Sequence, residues 1–190
     1  MMTHLNAFNL KNHFLIAMPN LEDSHFAQSV TYMIEHSHEG SMGLVCNHPA
    51  PFTVKHFFDH LKIQYHHSPQ FDAPVYFGGP VQPEKGFILH NGSDHWRSSI
   101  RVSDQVCLTT SDDILFSIAG NQGPTQFLIM LGYAGWSGGQ LEKEMTENAW
   151  LSVCADSSLI FDTPPNQKWQ NAAKLVGVDI YLMPSVAGHA

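Results

Sequence analysis

The sequence is poor in positive charge. Nine Lys or Arg stand against seventeen Asp or Glu, giving a formal net charge of −8 with histidine neutral. Tight binding to DNA or RNA draws on clustered basic side chains that neutralise phosphates. Here the few basic residues are scattered, so direct nucleic-acid binding is not expected. Cysteine is scarce as well. Cys46, Cys107 and Cys154 are odd in number and widely spaced, which excludes a disulfide framework and fits a reduced compartment. No stretch approaches the roughly 20 apolar residues of a membrane span, and the first residues hold no apolar run of signal-peptide type. The expectation is a cytoplasmic protein without a membrane association, in which Asn91-Gly-Ser93 is a turn rather than a glycosylation acceptor. Nucleotide-binding signatures are also missing. There is no GxGxxG and no Gly-Lys-Ser/Thr after Gly78-Gly79-Pro80. No cofactor or metal is expected.

What the chain does have suits one folded domain over residues 1–190. Hydrophobic residues make up 43% and aromatics 11% of the 190 residues, against 14% charged. A chain of this length buries roughly 70% of its unfolded surface and needs no covalent staple. Thirteen histidines make the charge sensitive to mild acidification, because free imidazole titrates near pH ~6.5.

Local patterns mark the elements. Phe14–Met18 is a short apolar run closed by Pro19, and Val30–Ile34 with Met42–Cys46 reads as a hairpin across a polar loop at 37–41. Thr53 caps a helix whose apolar stripe is Val54, Phe57, Phe58 and Leu61. Residues 64–74 read as a surface excursion. Val75–Phe77, Gly86–His90, Ile100–Val102 and Val106–Thr110 read as strands, with Asn91-Gly92 as a hairpin turn. Ser111 heads a helix with acids in its first turn, and Phe127–Leu131 is a central-strand run. Ser137-Gly-Gly-Gln140 has capping-box spacing, with Leu141, Met145 and Ala149 in one row of the helix that follows. Trp150–Ala155 and Ser158–Phe161 read as extended. Thr163-Pro164 caps a last helix that buries Trp169, Ala172, Ala173 and Val176 and ends at Gly177. Strands and helices mix without a βαβ rhythm, which predicts an α+β domain with a mixed sheet.

Several of these segments together resemble the bacterial AlgH/YqgE family. They are Phe14-Leu-Ile-Ala-Met-Pro19, Ser29-Val30-x-Tyr32-x-x-Glu35-His36, Gly40-x-Met-Gly43 with Asn47, and Gly78-Gly79-Pro80. Gly86-Phe87-x-Leu89-His90, the block from Leu131 to Trp150, Gly177-Val-Asp179 and the terminal Gly188-His189-Ala190 complete the set. The resemblance runs through nearly the whole chain. It implies a cytoplasmic protein with a bifurcated, partly barrel-like β-sheet flanked by helices. It supplies no settled biochemical activity, and only a regulatory link to transcription in one branch. Ser41 stands where that family often has Ala, and His48 where a Lys or Arg commonly follows Asn47; if that basic residue meets an anion, His48 weakens the contact near neutral pH.

The candidate sites each have a structural and a functional reading. Gly78 and Gly79 either form a turn before a proline or expose amides that cradle an anion. Gly135, Trp136, Gly138 and Gly139 either bury the indole over a strand-to-helix junction or offer a ligand free amides and a stacking face. Gln140, Glu144 and Asn148 share a helix face that is either solvated or the wall of a pocket. Glu35, His36 and His90 end strands. If they converge they make a carboxylate–imidazole set for base or metal work, whereas His4, His13, His66 and His67 read as surface histidines. The three cysteines lie in apolar runs as small hydrophobes, without a local activating context.

The reading that follows is a non-enzymatic module that binds a small ligand or a protein and affects transcription indirectly. The alternatives are a metal- or His/Glu-assisted hydrolase using Glu35, His36 and His90, and a DNA-binding regulator. The oligomeric state is left open.

Overall fold

The apolar run at Phe14 becomes β1 (His13–Ala17), and four of its five residues are buried. A computed structural model of the chain describes residues 9–183; His4 and the terminal Gly188-His189-Ala190 lie outside them. β2 (Val30–Ser37) and β3 (Gly40–Val45) form the expected hairpin. The strands run further than their apolar cores, however. Ser37 pairs with Gly40, so the polar loop shrinks to His38-Glu39.

β4 (Pro49–Thr53) leads into α1 (Val54–Leu61), capped as the sequence indicates. The Thr53 hydroxyl accepts from the His56 backbone, and the His56 ring accepts in return from the Thr53 N–H. Residues 64–74 are not wholly a surface excursion. A 3-10 turn at Pro69–Asp72 buries Phe71 against Phe58 of α1, with ring centres 5.3 Å apart. β5 (Pro74–Phe77) and β6 (Val81–His90) follow. Asn91-Gly92 is not a hairpin turn. The chain leaves the sheet after His90, and β6 finds its partners in the later strands β8 (Cys107–Thr109) and β9 (Phe127–Ser137). β7 (Ser99–Arg101) pairs with β8.

α2 (Asp113–Ala119) buries Leu115, Ile118 and Ala119 as expected. Ser111 does not cap it; its hydroxyl accepts from Ser98 N–H and donates to Asp113. α3 (Gln140–Thr146), β10 (Trp150–Cys154), α4 (Ser157–Phe161) and α5 (Pro165–Leu175) complete the chain. α4 overturns the extended reading of 158–161. The Asp156 carboxylate caps it through Ser158 N–H, and Leu159 and Ile160 face the core, so packing overrides the β preference of a four-residue run. On α5, Val176 is the exposed C-cap, and Lys168 takes a place in the buried face beside Trp169, Ala172 and Ala173.

The strands form one curled, half-barrel sheet in the order β10-β1-β2-β3-β9-β6-β8-β7. All these pairings are antiparallel. β9 is where the sheet divides. One edge pairs with parallel β5 at residues 130–131 and then with antiparallel β3 at residues 134–137, while β6 holds the other edge. Gly132 sits between the two partners at φ +71, and a Cβ there would lie 2.3 Å from the Gly79 carbonyl oxygen. The fork therefore needs glycine both on β9 and in the turn between β5 and β6. A main apolar core lies between the sheet and α4 and α5, a second under α1 and α2, and a third around Trp136, Trp150 and Leu141.

Candidate functional site

The glycine- and tryptophan-rich block from Leu131 to Trp150 divides into the end of β9, the turn at Gly138-Gly139, α3 and the start of β10. Trp136 is 6% exposed. Its ring meets Trp150 edge to face at 6.0 Å and lies 6.1 Å from Phe26, so the stacking face that an exposed indole would offer is covered. Glu144 Oε2 accepts from both indoles, at 2.9 Å from Trp136 Nε1 and 2.8 Å from Trp150 Nε1, while Oε1 accepts from Gln140 Nε2 at 2.9 Å. Three donors on one carboxylate fix the junction of β9, α3 and β10. Asn148 lies beyond α3 at φ +57 and does not extend the Gln140–Glu144 row. The capping-box spacing is half realised: Gln140 Oε1 accepts from Ser137 N–H, and Gly139 occupies the cap position.

Gly78 and Gly79 are held by the fork. Gly78 N–H donates to Leu131 O, and its own carbonyl accepts from Val45 N–H, both at 2.8 Å. A Cβ on Gly79 would sit 2.1 Å from the Tyr133 carbonyl carbon. A Cβ on Gly138 would likewise lie 2.5 Å from the His38 carbonyl oxygen, whereas one on Gly135 would meet the Tyr133 ring at 3.3 Å and Val81 at 3.9 Å.

The three residues of the acid–base set do not come together. His36 pairs across to Ser41, which pairs across to Trp136, so His36 lies level with the tryptophan block. Its Nδ1 accepts from Leu10 N–H at 3.0 Å, and its Nε2–H donates to Glu142 at 2.9 Å. Glu142 is held below the usual carboxylate range by a hydrogen bond from its own backbone and by that histidine. Glu35 is the neighbour of Met42 on the same strand pair and is exposed. His90 pairs with Phe127, at the far end of β9 from Trp136, roughly 30 Å of strand away. It is buried, donates Nδ1–H to Asn91 O and accepts at Nε2 from the Thr109 hydroxyl, which in turn accepts from Ser99. Burial holds its pKa below the ordinary imidazole value. Among the described residues, no group of three His, Cys, Asp or Glu is placed to hold a metal ion.

His48, the departure beside Asn47, is half-buried and donates to Ala27 O, and burial lowers its pKa. Asn47 clamps the turn before β2, accepting from Val30 N–H and donating to Gln28 O. Two side-chain arrangements are invisible to a local reading. Lys168 is 1% exposed and donates to the carbonyls of Cys46 and Ile160, with its ammonium 5.2 Å from the Tyr76 ring centre. Burial lowers its pKa and pushes Tyr76 up to about 12. Exposed Cys154 pairs with His13 across the β1–β10 ladder, Sγ to Nε2 at 3.5 Å, with His13 Nδ1–H donating to Lys11 O.

The concavity best suited to binding lies along α1. It has a volume of about 520 Å³, within the range of ligand pockets, and most of its lining is apolar. Phe57 and Leu61 of α1, Phe52 of β4 and Leu131 of β9 form its walls. His56 and His60, one turn apart, and Glu84 of the irregular stretch of β6 supply its polar groups. Leu61 is 44% exposed, and Phe77, the strand neighbour of Leu131, is 47% exposed. α1 thus spends Val54 and Phe58 on the core and leaves Phe57 and Leu61 to the groove. No described helix is long and apolar enough to cross a membrane.

A family model described as AlgH-like matches residues 14–181. A UPF0301 protein of Azoarcus sp. (strain BH72) is 48% identical over 182 residues, 96% of this chain and 97% of the relative. A UPF0301 protein of Nitrosococcus oceani is 47% identical over 180 residues, 95% and 96% of the two chains. Among solved structures, the AlgH protein from Pseudomonas aeruginosa superposes with a TM-score of 0.78 at 42% identity, covering 100% of both chains. A protein from Corynebacterium diphtheriae, 20% identical with a TM-score of 0.69 over 87% and 86% of the chains, shares the fold.

Proposed function

The chain belongs to the AlgH-like family, a family of uncharacterised function, and on that premise we propose that it is a non-enzymatic binding module working as a single cytoplasmic domain. The groove along α1 is its binding surface, and any effect on transcription is exerted through the partner it holds there. The observation that carries this reading is the groove's lining: Phe57 and Leu61 on the outer side of a helix that buries Val54 and Phe58, joined by Phe52 of β4 and Leu131 of β9, all at least partly open to solvent. A partner supplying apolar side chains would gain roughly 25 cal/mol for each Å² of apolar surface withdrawn from water. The histidines and Glu84 at the groove give such a partner polar groups to orient against.

The test is quantitative co-purification from cells expressing tagged protein, comparing wild type with Leu61→Asp and with Leu175→Asp, a control at an exposed leucine of α5. A defined partner lost only in Leu61→Asp supports the reading. Partners retained by Leu61→Asp, or lost equally in both variants, would overturn it.

A further inference from the structure

A second concavity lies across the curl of the sheet; its lining shares no residue with the α1 groove, although Glu84 of that groove and Lys85 of this one are neighbours on β6. It has a volume of about 330 Å³ and takes side chains from β2 and β3 on one side of β9 and from β6, β7 and β8 on the other. Its floor is apolar. Phe87 and Leu108 are buried members of the main core, and Met42 packs against that core. Its rim is charged and of both signs, with Glu35 on β2 and Lys85 on β6.

These two charges are uncompensated. The Glu35 carboxylate has no hydrogen-bond or ion-pair partner among the described residues, and Lys85 has no carboxylate partner there. The Lys85 ammonium instead rests 5.4 Å from the centre of the Phe87 ring, which positions it over the floor. Arg97 also reaches this cleft, but Asp112 and Asp113 already hold it. The cleft therefore presents one open carboxylate and one open ammonium, facing the same apolar floor without neutralising each other.

The geometry points to a binding site for a small zwitterion with an apolar side chain, of the class of free α-amino acids and short peptides. The ligand's ammonium meets Glu35, its carboxylate meets Lys85, and its side chain covers Met42, Phe87 and Leu108. An exposed charge pair alone contributes little. A ligand that pairs both charges while drying the floor strengthens each pairing by excluding water. Neither charge has to leave an oppositely charged protein partner first, so binding breaks no ion pair.

The test uses the whole protein with 13C-methyl-labelled methionine, following the Met42 methyl signal during titration. The probes are L-phenylalanine, the dipeptide Phe-Leu, N-acetyl-phenylalanine, which lacks the ammonium, and phenylalanine amide, which lacks the carboxylate. Saturable Met42 shifts with both zwitterions are expected, weakened about tenfold or more by either blocking group. Glu35→Gln should erase the difference between phenylalanine and its N-acetyl form. Lys85→Met should erase the difference between phenylalanine and its amide. Both residues are exposed, and the remaining methionine signals report that each variant keeps its fold. No Met42 shift with any probe at millimolar concentration would overturn the proposal. So would equal affinity for the blocked and free compounds, which would leave only a nonspecific apolar surface.

Discussion

The indoles of Trp136 and Trp150 meet edge to face with ring centres 6.0 Å apart, and both direct their N–H at the same oxygen of Glu144. The pair brings the end of β9 and the start of β10 to one point on α3. Removing the acceptor leaves two buried indole donors without a partner. Glu144→Ala is therefore expected to lower stability by about 1–3 kcal/mol, and Glu144→Gln by less, because the amide oxygen still accepts. Urea unfolding followed by tryptophan fluorescence measures both values, and equal loss in the two variants would count against the double acceptor.

Lys168 ties α5 to α4 and to the end of β3 through the carbonyls of Ile160 and Cys46, with no carboxylate involved. Lys168→Ala strands both carbonyls and opens a cavity, for an expected loss of about 2–4 kcal/mol. Lys168→Met refills the space and should recover part of that loss. A Lys168→Ala protein as stable as wild type in denaturant would show that the latch carries no weight.

Acid should weaken the fold through histidine. Burial depresses the pKa of both His90 and His48 below the ordinary imidazole value. The unfolded chain then takes up protons first, so the stability these groups support is complete above pH ~6.5 and falls as pH drops toward their folded pKa values. His90→Gln and His48→Gln should each flatten the stability–pH curve in that window. Thermal melts between neutral and mildly acidic pH test this, and an unchanged slope in the double variant would contradict it.

The three cysteines should separate cleanly by reactivity. Cys46 and Cys107 are buried and burial raises both thiol pKa values, whereas Cys154 is exposed beside His13. Brief alkylation of the native protein is expected to add one label, located at Cys154 by peptide mass mapping, and three labels after denaturation. A native label on Cys46 would mean that the main core opens readily.

Local chemistry made much of the scaffold legible. The Thr53 cap, the β2–β3 hairpin and the apolar runs at Phe14 and Phe127 each follow from their own few residues, and the structure places them where those patterns indicate. The misread segments share a cause. The 158–161 run became helix because Asp156 caps it and Leu159 and Ile160 pack inward, and Asn91-Gly92 failed as a hairpin because the partners of β6 lie later in the chain. Partner choice of that kind is set by distant contacts, not by neighbours.

Site residues followed the same rule. The glycines at 78 and 79 carry a real signal, but its meaning, a fork with Gly132 and Tyr133, depends on a crossing some fifty residues on. For Trp136 the local pattern left burial and a free stacking face both open, because its cover comes from the distant Phe26 and Trp150. The α1 groove did have a trace in the sequence. Phe57 and Leu61 sit one turn apart beside Val54 and Phe58, a wider apolar stripe than one core contact needs.

The most direct test of the groove as a binding surface is site-specific photo-crosslinking in living cells. A benzophenone amino acid is placed at Leu61, and separately at Lys174 on α5 as a control position. The account predicts a discrete crosslinked species from Leu61 that is absent from Lys174 and is lost when Phe57→Asp is added. Crosslinks of equal pattern from both positions, or none from Leu61 in cells where the protein is folded, would contradict it.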